Sequence, residues 1–145
     1  MKTRIALLTI VLTLAFSARS FAQEKTYTEG SVWTLSFVKT NSGMGVAYIN
    51  SLKSTWKAVQ DEAVKQGLIL SYKILDGTAA TPDDYNMVLM IEYKNLAAME
   101  GQDAKWEAIQ AKVVGNQDAQ AKLRDVRSSQ RTMFGQKVLR EVVYK

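Results

Sequence analysis

Two residue types are absent from the chain, and each absence excludes a class of site. Its 145 residues include no cysteine and no histidine. No disulfide can form, so packing alone must hold the fold together. Cys/His metal sites, Ser-His-Asp triads, Cys-His dyads and haem held by a proximal histidine are all excluded. We therefore expect no metal site and no cofactor.

Long apolar runs are also scarce, and the one present lies at the N-terminus. Residues 5–16 (IALLTIVLTLAF) follow a basic start and precede the small-residue stretch SARSFA. A run of 12 residues is too short to span a bilayer, which needs about 20. The pattern predicts a signal peptide over residues 1–22, cleaved after Ala22. We expect a periplasmic or secreted protein with no membrane span.

The positive charge of the chain comes mostly from this segment. The whole sequence has 19 basic and 14 acidic residues, a net charge of +5. Residues 1–22 hold three of the basic residues and no acid, so 16 basic and 14 acidic residues remain, a net charge of +2. Such a balanced surface has no electrostatic reason to seek nucleic acid.

Apolar periodicity after the signal peptide predicts one α+β domain over residues 31–145, behind a flexible lead-in over residues 23–30. Strands are predicted over residues 31–40, 68–75, 85–93 and 131–144, and helices over residues 46–66, 95–113 and 117–129. The resulting order, β-α-β-β-α-(α)-β, predicts a ferredoxin-like fold, an antiparallel sheet with helices on one face. The third strand, with five consecutive apolar residues, is predicted to be central.

The first helix and the strand after it form the main structural unit of the sequence. An apolar stripe on a 3.6-residue period marks the buried side of the helix, at Ile49, Leu52, Trp56, Val59 and Ala63. Gly67 follows directly, where a left-handed residue commonly ends a helix. The unit therefore predicts a helix that crosses the sheet and enters the second strand with almost no loop.

Strand alternation leads to a prediction about assembly. If the helices cover Trp33, Leu35 and Phe37, the opposite sheet face is left apolar. That face would carry Val32, Val38, Ile69, Leu75, Val88 and Met90. A soluble monomer rarely leaves such a patch in water. We therefore expect a homodimer, packed sheet to sheet about a two-fold axis.

Three stretches resemble the dimeric α/β-barrel superfamily, whose members include NIPSNAP-like and EthD-like proteins and cofactor-free monooxygenases. They are the helix with Trp56, the join GLILSY over residues 67–72 and the strand end IEY over residues 91–93. More narrowly, the chain resembles exported bacterial proteins of unassigned function. Across residues 31–145 the resemblance implies a homodimer whose cleft, between sheet and helices, binds small apolar or aromatic molecules. It carries over no catalytic residue.

Glu92 is the candidate catalytic group. It is the only acid in the third predicted strand and shares a face with Val88 and Met90. A carboxylate among apolar neighbours can serve as a general base near neutral pH. The structural alternative is a cross-strand partner for Ser71 or Lys73. Structural pairs of this kind outnumber catalytic acids.

Other side chains suggest binding. A pocket that stacks on a planar ligand is predicted from Trp33, Trp56, Tyr72, Met90 and Trp106. The alternative is that these residues form the core. Arginines could hold an anionic group, or lie solvated or at a dimer rim, at positions Arg127, Arg131 and Arg140. Asp83 and Asp84 supply too few oxygens for calcium and are read as turn residues.

Three functions stay open. The first is a protein that binds a small apolar or aromatic molecule. The second is a cofactor-independent monooxygenase or isomerase that uses Glu92, with Tyr72 or Trp33 positioning the substrate. The third is a structural or protein-interaction module. A cavity lined by the aromatic residues would favour the first two over the third.

Overall fold

The structure, a computed structural model, describes residues 25–145, so the predicted signal peptide lies outside the described residues. Its strands are β1 (Tyr27–Thr40), β2 (Ser71–Asp76), β3 (Met87–Tyr93) and β4 (Arg131–Tyr144). Its α-helices are α1 (Gly45–Leu52), α2 (Ala58–Lys65), α3 (Asp103–Val113) and α4 (Gln117–Gln130). A π-helical turn (Lys53–Lys57) joins α1 to α2, and a 3₁₀ helix (Leu96–Met99) follows β3. None of the described helices has the length and apolarity needed to cross a membrane.

The four strands form one sheet in the order β2-β3-β1-β4. Strand β3 pairs antiparallel with both β1 and β2, so the prediction of a central third strand is confirmed. With the helices in the intervening segments, this order makes the domain a ferredoxin-like α+β fold, as predicted. The main compact unit spans Glu29–Val143. In a second compact unit, the Lys145 amide donates a hydrogen bond of 3.0 Å to the Thr26 carbonyl.

Strands β1, β2 and β3 begin at residues other than those predicted, and β3 begins at Met87, two residues later than predicted. Strand β1 begins at Tyr27, so part of the predicted lead-in belongs to the sheet. Strand β2 begins at Ser71, three residues later than predicted. Leu68 and Ile69 are buried in the link that precedes it, 7% and 3% exposed. An apolar run therefore marked core residues there, not strand residues.

The helices cover the face of the sheet opposite to the one predicted. Val32 and Val38 are 1% and 0% exposed beneath the helices, together with Met87 and Leu89 of β3. Trp33, Leu35 and Phe37 instead point to the face without helices. Strand β1 is apolar on both faces, and its compact valines are the side chains packed beneath the helices. The assignment of Val32, Val38 and Ile69 to the uncovered face was therefore wrong.

The uncovered face, called here the open face, is set by strand register. Three rows of residues cross β1, β3 and β2 on this face. They are Trp33–Glu92–Ser71, Leu35–Met90–Lys73 and Phe37–Val88–Leu75. Most of these side chains are apolar, so one face of the sheet is uncovered and apolar, as predicted. Its β1 residues are Trp33, Leu35 and Phe37 in place of Val32 and Val38.

The first predicted helix is interrupted by the π-helical turn. The Thr55 hydroxyl donates a hydrogen bond of 2.6 Å to the Ser51 carbonyl there. The turn shifts the phase of the helix, and Ile49, predicted to face inward, is 37% exposed while Tyr48 is fully buried. The end of the helix is as predicted. Gly67 has φ +69°, and hydrogen bonds from the Gly67 and Leu68 amides cap α2.

Candidate functional site

A cleft of about 450 Å³ lies between the covered face of the sheet and the helices. Ile91 and Tyr93 of β3 supply sheet residues to its lining. The π-helical turn and α2 contribute Trp56 and Gln60, and α3 contributes Trp106. Its volume is within the range of small-molecule sites, about 300–1,000 Å³. The cleft therefore has room for a ligand of modest size.

The apolar part of the cleft is held in place by the two cores of the domain. Trp106 and Ile91 pack against one buried cluster, and Trp56 packs against the other. The Trp56 ring meets Tyr72 edge to face, with centroids 5.5 Å apart and an angle of 85°. Burial raises the pKa of the Tyr93 phenol above its ordinary value. The cleft thus offers fixed aromatic surfaces to a planar molecule.

Gln60 adds a polar atom, Oε1, that has no hydrogen-bond partner among residues 25–145. Its side chain is 4% exposed, and its Oε1 atom is buried without a hydrogen bond. A buried acceptor left unpaired costs about 1–3 kcal/mol. Gln60 lines the cleft. A ligand with a suitably placed donor would remove that cost.

Basic side chains line another part of the same cleft. Arg124 and Arg127 of α4 and Arg131 at the start of β4 all contribute. The pKa of Arg127 is lowered, mainly by burial and then by the charges on Arg131 and Arg124. Arg127 Nε donates a hydrogen bond of 3.2 Å to the Leu123 carbonyl. The Arg131 guanidinium lies 5.6 Å from the centre of the Tyr48 ring.

The residues predicted to bind a ligand are divided between the two sides of the sheet. Trp56 and Trp106 line the cleft, and Tyr72 lies behind Trp56. Trp33 and Met90 are on the open face, in rows that point away from the helices. The prediction of a single pocket lined by all five residues was therefore wrong. Strand alternation separates Trp33 and Met90 from the other three residues.

Glu92 also lies on the open face and takes no part in the cleft. Its carboxylate accepts a hydrogen bond of 2.5 Å from the Ser71 hydroxyl, which lies opposite on β2. On the other side it is paired in register with Trp33. The Lys73 ammonium lies 5.2 Å from the centre of the Trp33 ring. These are the contacts expected from the structural interpretation of Glu92.

The remaining polar candidates have structural contacts. Arg140 pairs with Glu29. Asp84 accepts hydrogen bonds from the Ala80 and Tyr85 amides, at 2.9 and 2.8 Å, as a turn residue does. Within residues 25–145, no group of three or more acidic side chains is placed to hold a metal ion.

A second hollow, of about 730 Å³, lies beside α3 and the start of α4. It shares Gln110, Gln120 and Arg124 with the cleft. The rest of its lining is small or polar, with no aromatic residue. It lacks the apolar walls that usually hold a small molecule, and the cleft is the better candidate site.

Sequence reasoning missed Gln60, Tyr93 and Arg124 as cleft residues. For Arg124 a signal was present. Gln120, Arg124 and Arg127 recur at intervals of four and three, which places them along one face of the predicted helix. A neighbouring apolar stripe through Ala119, Leu123 and Val126 predicts the inward side instead, yet Val126 is 50% exposed.

No protein-family model matches the chain, and no curated protein matches it. Among solved structures it is similar to HapK from Hahella chejuensis, with 12% identity over 76% of this chain and 91% of that chain and a TM-score of 0.48. It is similar to a dimeric ferredoxin-like protein from an uncultured marine organism, with 14% identity, coverage of 81% and 90%, and a TM-score of 0.46. A conserved protein of unknown function from Bacteroides thetaiotaomicron, named a possible oxidoreductase, has 13% identity, coverage of 79% and 100%, and a TM-score of 0.46. These likenesses are distant, and the fold assignment rests on the strand order of the chain itself.

Proposed function

We propose that the protein binds a small, planar, largely apolar molecule in the cleft between β3 and the helices. The observation that carries the proposal is a space of about 450 Å³ bordered by Trp56 and Trp106. The volume lies within the range of small-molecule sites, about 300–1,000 Å³. The unpaired Gln60 acceptor in the same lining supports a ligand that carries at least one hydrogen-bond donor.

The test is native mass spectrometry of the protein purified from its own host, followed by titration with the neutral planar probe 2-naphthalenemethanol. We expect a co-purifying small molecule, and calorimetric binding of the probe to the emptied protein. A protein that carries no molecule and gives no heat with the probe would contradict the proposal.

We also propose that the protein is a homodimer joined through the open face. Trp33, Leu35 and Met90 lie on that face, in rows that no helix covers. Packing a second copy there would bury this apolar surface, at a gain of about 25 cal/mol for each Å² removed from water. Two identical faces related by a two-fold axis are self-complementary.

Light scattering tests the dimer. We expect the mature protein to have the mass of two chains, and Leu35→Lys to shift it to one chain. Val46→Lys is the matched control, because Val46 is 75% exposed on α1. A wild-type mass of one chain would contradict the proposed interface.

Finally, we propose export to the periplasm or beyond, with cleavage after Ala22. The basic start and the 12-residue apolar run before SARSFA support this. N-terminal sequencing of protein recovered from the periplasm and medium should begin at Gln23. Recovery of intact chain in the cytoplasm alone would contradict export.

A further inference from the structure

Three arginines line one side of the cleft. Arg124 and Arg127 follow Gln120 on one face of α4, and Arg131 continues the same spacing at the start of β4. All of them line the cleft that contains Trp56 and Trp106. Three guanidinium groups therefore share a partly enclosed space with aromatic walls.

Within the part of the chain that the structure describes, no carboxylate pairs with these charges. Among residues 25–145, none of the three arginines forms an ion pair. The two acids of α4, Asp118 and Asp125, are absent from the cleft lining. Burial lowers the pKa of Arg127, and the like charges of Arg131 and Arg124 lower it further.

The donors of these arginines are only partly used within the protein. A guanidinium has five N–H donors. The Arg131 Nε atom is buried and has no hydrogen-bond partner in the described part of the chain, and Arg127 uses its Nε on the Leu123 carbonyl. A planar oxyanion accepts two parallel hydrogen bonds from one guanidinium. An anion in the cleft would satisfy the unused donors and neutralise the repulsion in one step.

The geometry points to a planar organic oxyanion as the ligand, with its acid group among Arg124, Arg127 and Arg131 and its apolar body against Trp56 and Trp106. This inference rests on the proposed function and narrows it. The acid group is a carboxylate or a phosphate, since guanidinium binds both in the same bidentate way. An inorganic anion would leave the aromatic part of the cleft unfilled.

Calorimetry with three probes that share one naphthalene body tests the inference: 2-naphthoate, 2-naphthyl phosphate and the neutral 2-naphthalenemethanol. The alcohol carries a donor for Gln60 Oε1 and the carboxylate does not, so a preference for 2-naphthoate cannot come from that atom. We expect at least one of the two anions to bind about ten-fold or more tightly than the alcohol, as charge-assisted hydrogen bonds predict. The tighter of the two anions identifies the acid group. Equal binding of all three probes would overturn the inference and leave the proposed function standing. If no probe bound and the purified protein carried no molecule, both would fall.

Matched variants locate the acid group. Arg124→Gln is the first choice, because Arg124 is exposed and its loss leaves the core intact. Together with Arg127→Gln, it should remove most of the preference for the anion and leave the affinity for 2-naphthalenemethanol within about two-fold. Arg140→Gln removes a guanidinium that pairs with Glu29 elsewhere, and should change neither affinity. An undiminished preference in the folded double variant would overturn the assignment, with circular dichroism as the check on folding.

Discussion

Ser71 and Glu92 lie directly opposite each other on β2 and β3, and the Ser71 hydroxyl donates a hydrogen bond of 2.5 Å to the Glu92 carboxylate. The pair stands on the open face, across the sheet from the cleft. Glu92 is therefore connected to the sheet and not to the proposed ligand. A partly exposed hydrogen bond of this kind contributes about 1 kcal/mol to folding.

Removing the carboxylate should consequently affect stability more than binding. We expect Glu92→Gln and Ser71→Ala each to lower the free energy of unfolding by about 1 kcal/mol, and the double variant to lose less than the sum. Urea denaturation measures this cycle. Binding of the naphthyl probes should stay within about two-fold of wild type. A ten-fold loss of affinity in Glu92→Gln would show instead that Glu92 serves the site.

The two tryptophans on opposite sides of the sheet give a direct test of which side binds. Trp106→Leu removes an aromatic wall of the cleft and should weaken binding of 2-naphthoate about three- to ten-fold. Trp33→Leu is the matched control on the open face, and should leave that affinity unchanged. Titration calorimetry measures both. The reverse result, with Trp33 the sensitive position, would move the site to the open face.

Asp61 should make a small, pH-dependent contribution to stability. It forms an ion pair of 2.7 Å with Lys57 and accepts a hydrogen bond from the Tyr72 hydroxyl. The Lys57 and Tyr72 hydrogen bonds lower the pKa of Asp61 below its ordinary value of 3.8. The ionised form therefore stabilises the fold above that value, and the contribution is lost as the pH falls through the folded-state pKa.

Because both partners are largely exposed, we expect Asp61→Asn to cost only about 0.5 kcal/mol at neutral pH. Urea midpoints of the variant and the wild type should converge as the pH is taken below 3.8. Asp83→Asn, in an exposed loop, serves as the control for a change of net charge. A difference that persists unchanged at low pH would assign the effect to packing and not to charge.

Gly67 should resist substitution although there is space around it. Its φ of +69° lies in the left-handed region, and a Cβ there would meet no atom within 4 Å. We expect Gly67→Ala to cost about 1 kcal/mol from backbone strain alone. Gly45→Ala is the control, since a Cβ at that position would make ordinary contact with Thr40 Oγ1 at 3.7 Å and the backbone is unstrained. Equal costs at the two sites, measured by thermal unfolding, would contradict this account.

The sequence allowed prediction of the fold far better than of the site. The span of β4, the central position of β3 and the glycine cap of α2 follow from local patterns, and they agree with the structure. Which face the helices cover does not follow, because β1 is apolar on both faces and alternation alone gives no direction. For that reason, the sequence could not show that Trp56 lines the cleft while Trp33 lies on the open face.

The π-helical turn and the arginines were harder to predict for a different reason. A π turn adds a residue to the helix without an obvious mark in the sequence, so the burial of Tyr48 in place of Ile49 could not be foreseen. The regular spacing of the arginines in α4 could be recognised in the sequence. Whether a charged stripe faces solvent or a cleft depends on how α4 packs on the rest of the domain, and that is a tertiary property.

The π-helical turn also separates two parts of the interior. One buried cluster includes Tyr48 and Leu52 of α1, and the other includes Val59 and Ala63 of α2. Thr55 and Trp56 of the turn lie between them and line the cleft. Backbone amides of α1 and α2 therefore report on different clusters. Hydrogen exchange along this single helix would record two protection levels, and a molecule bound in the cleft would bring them closer together.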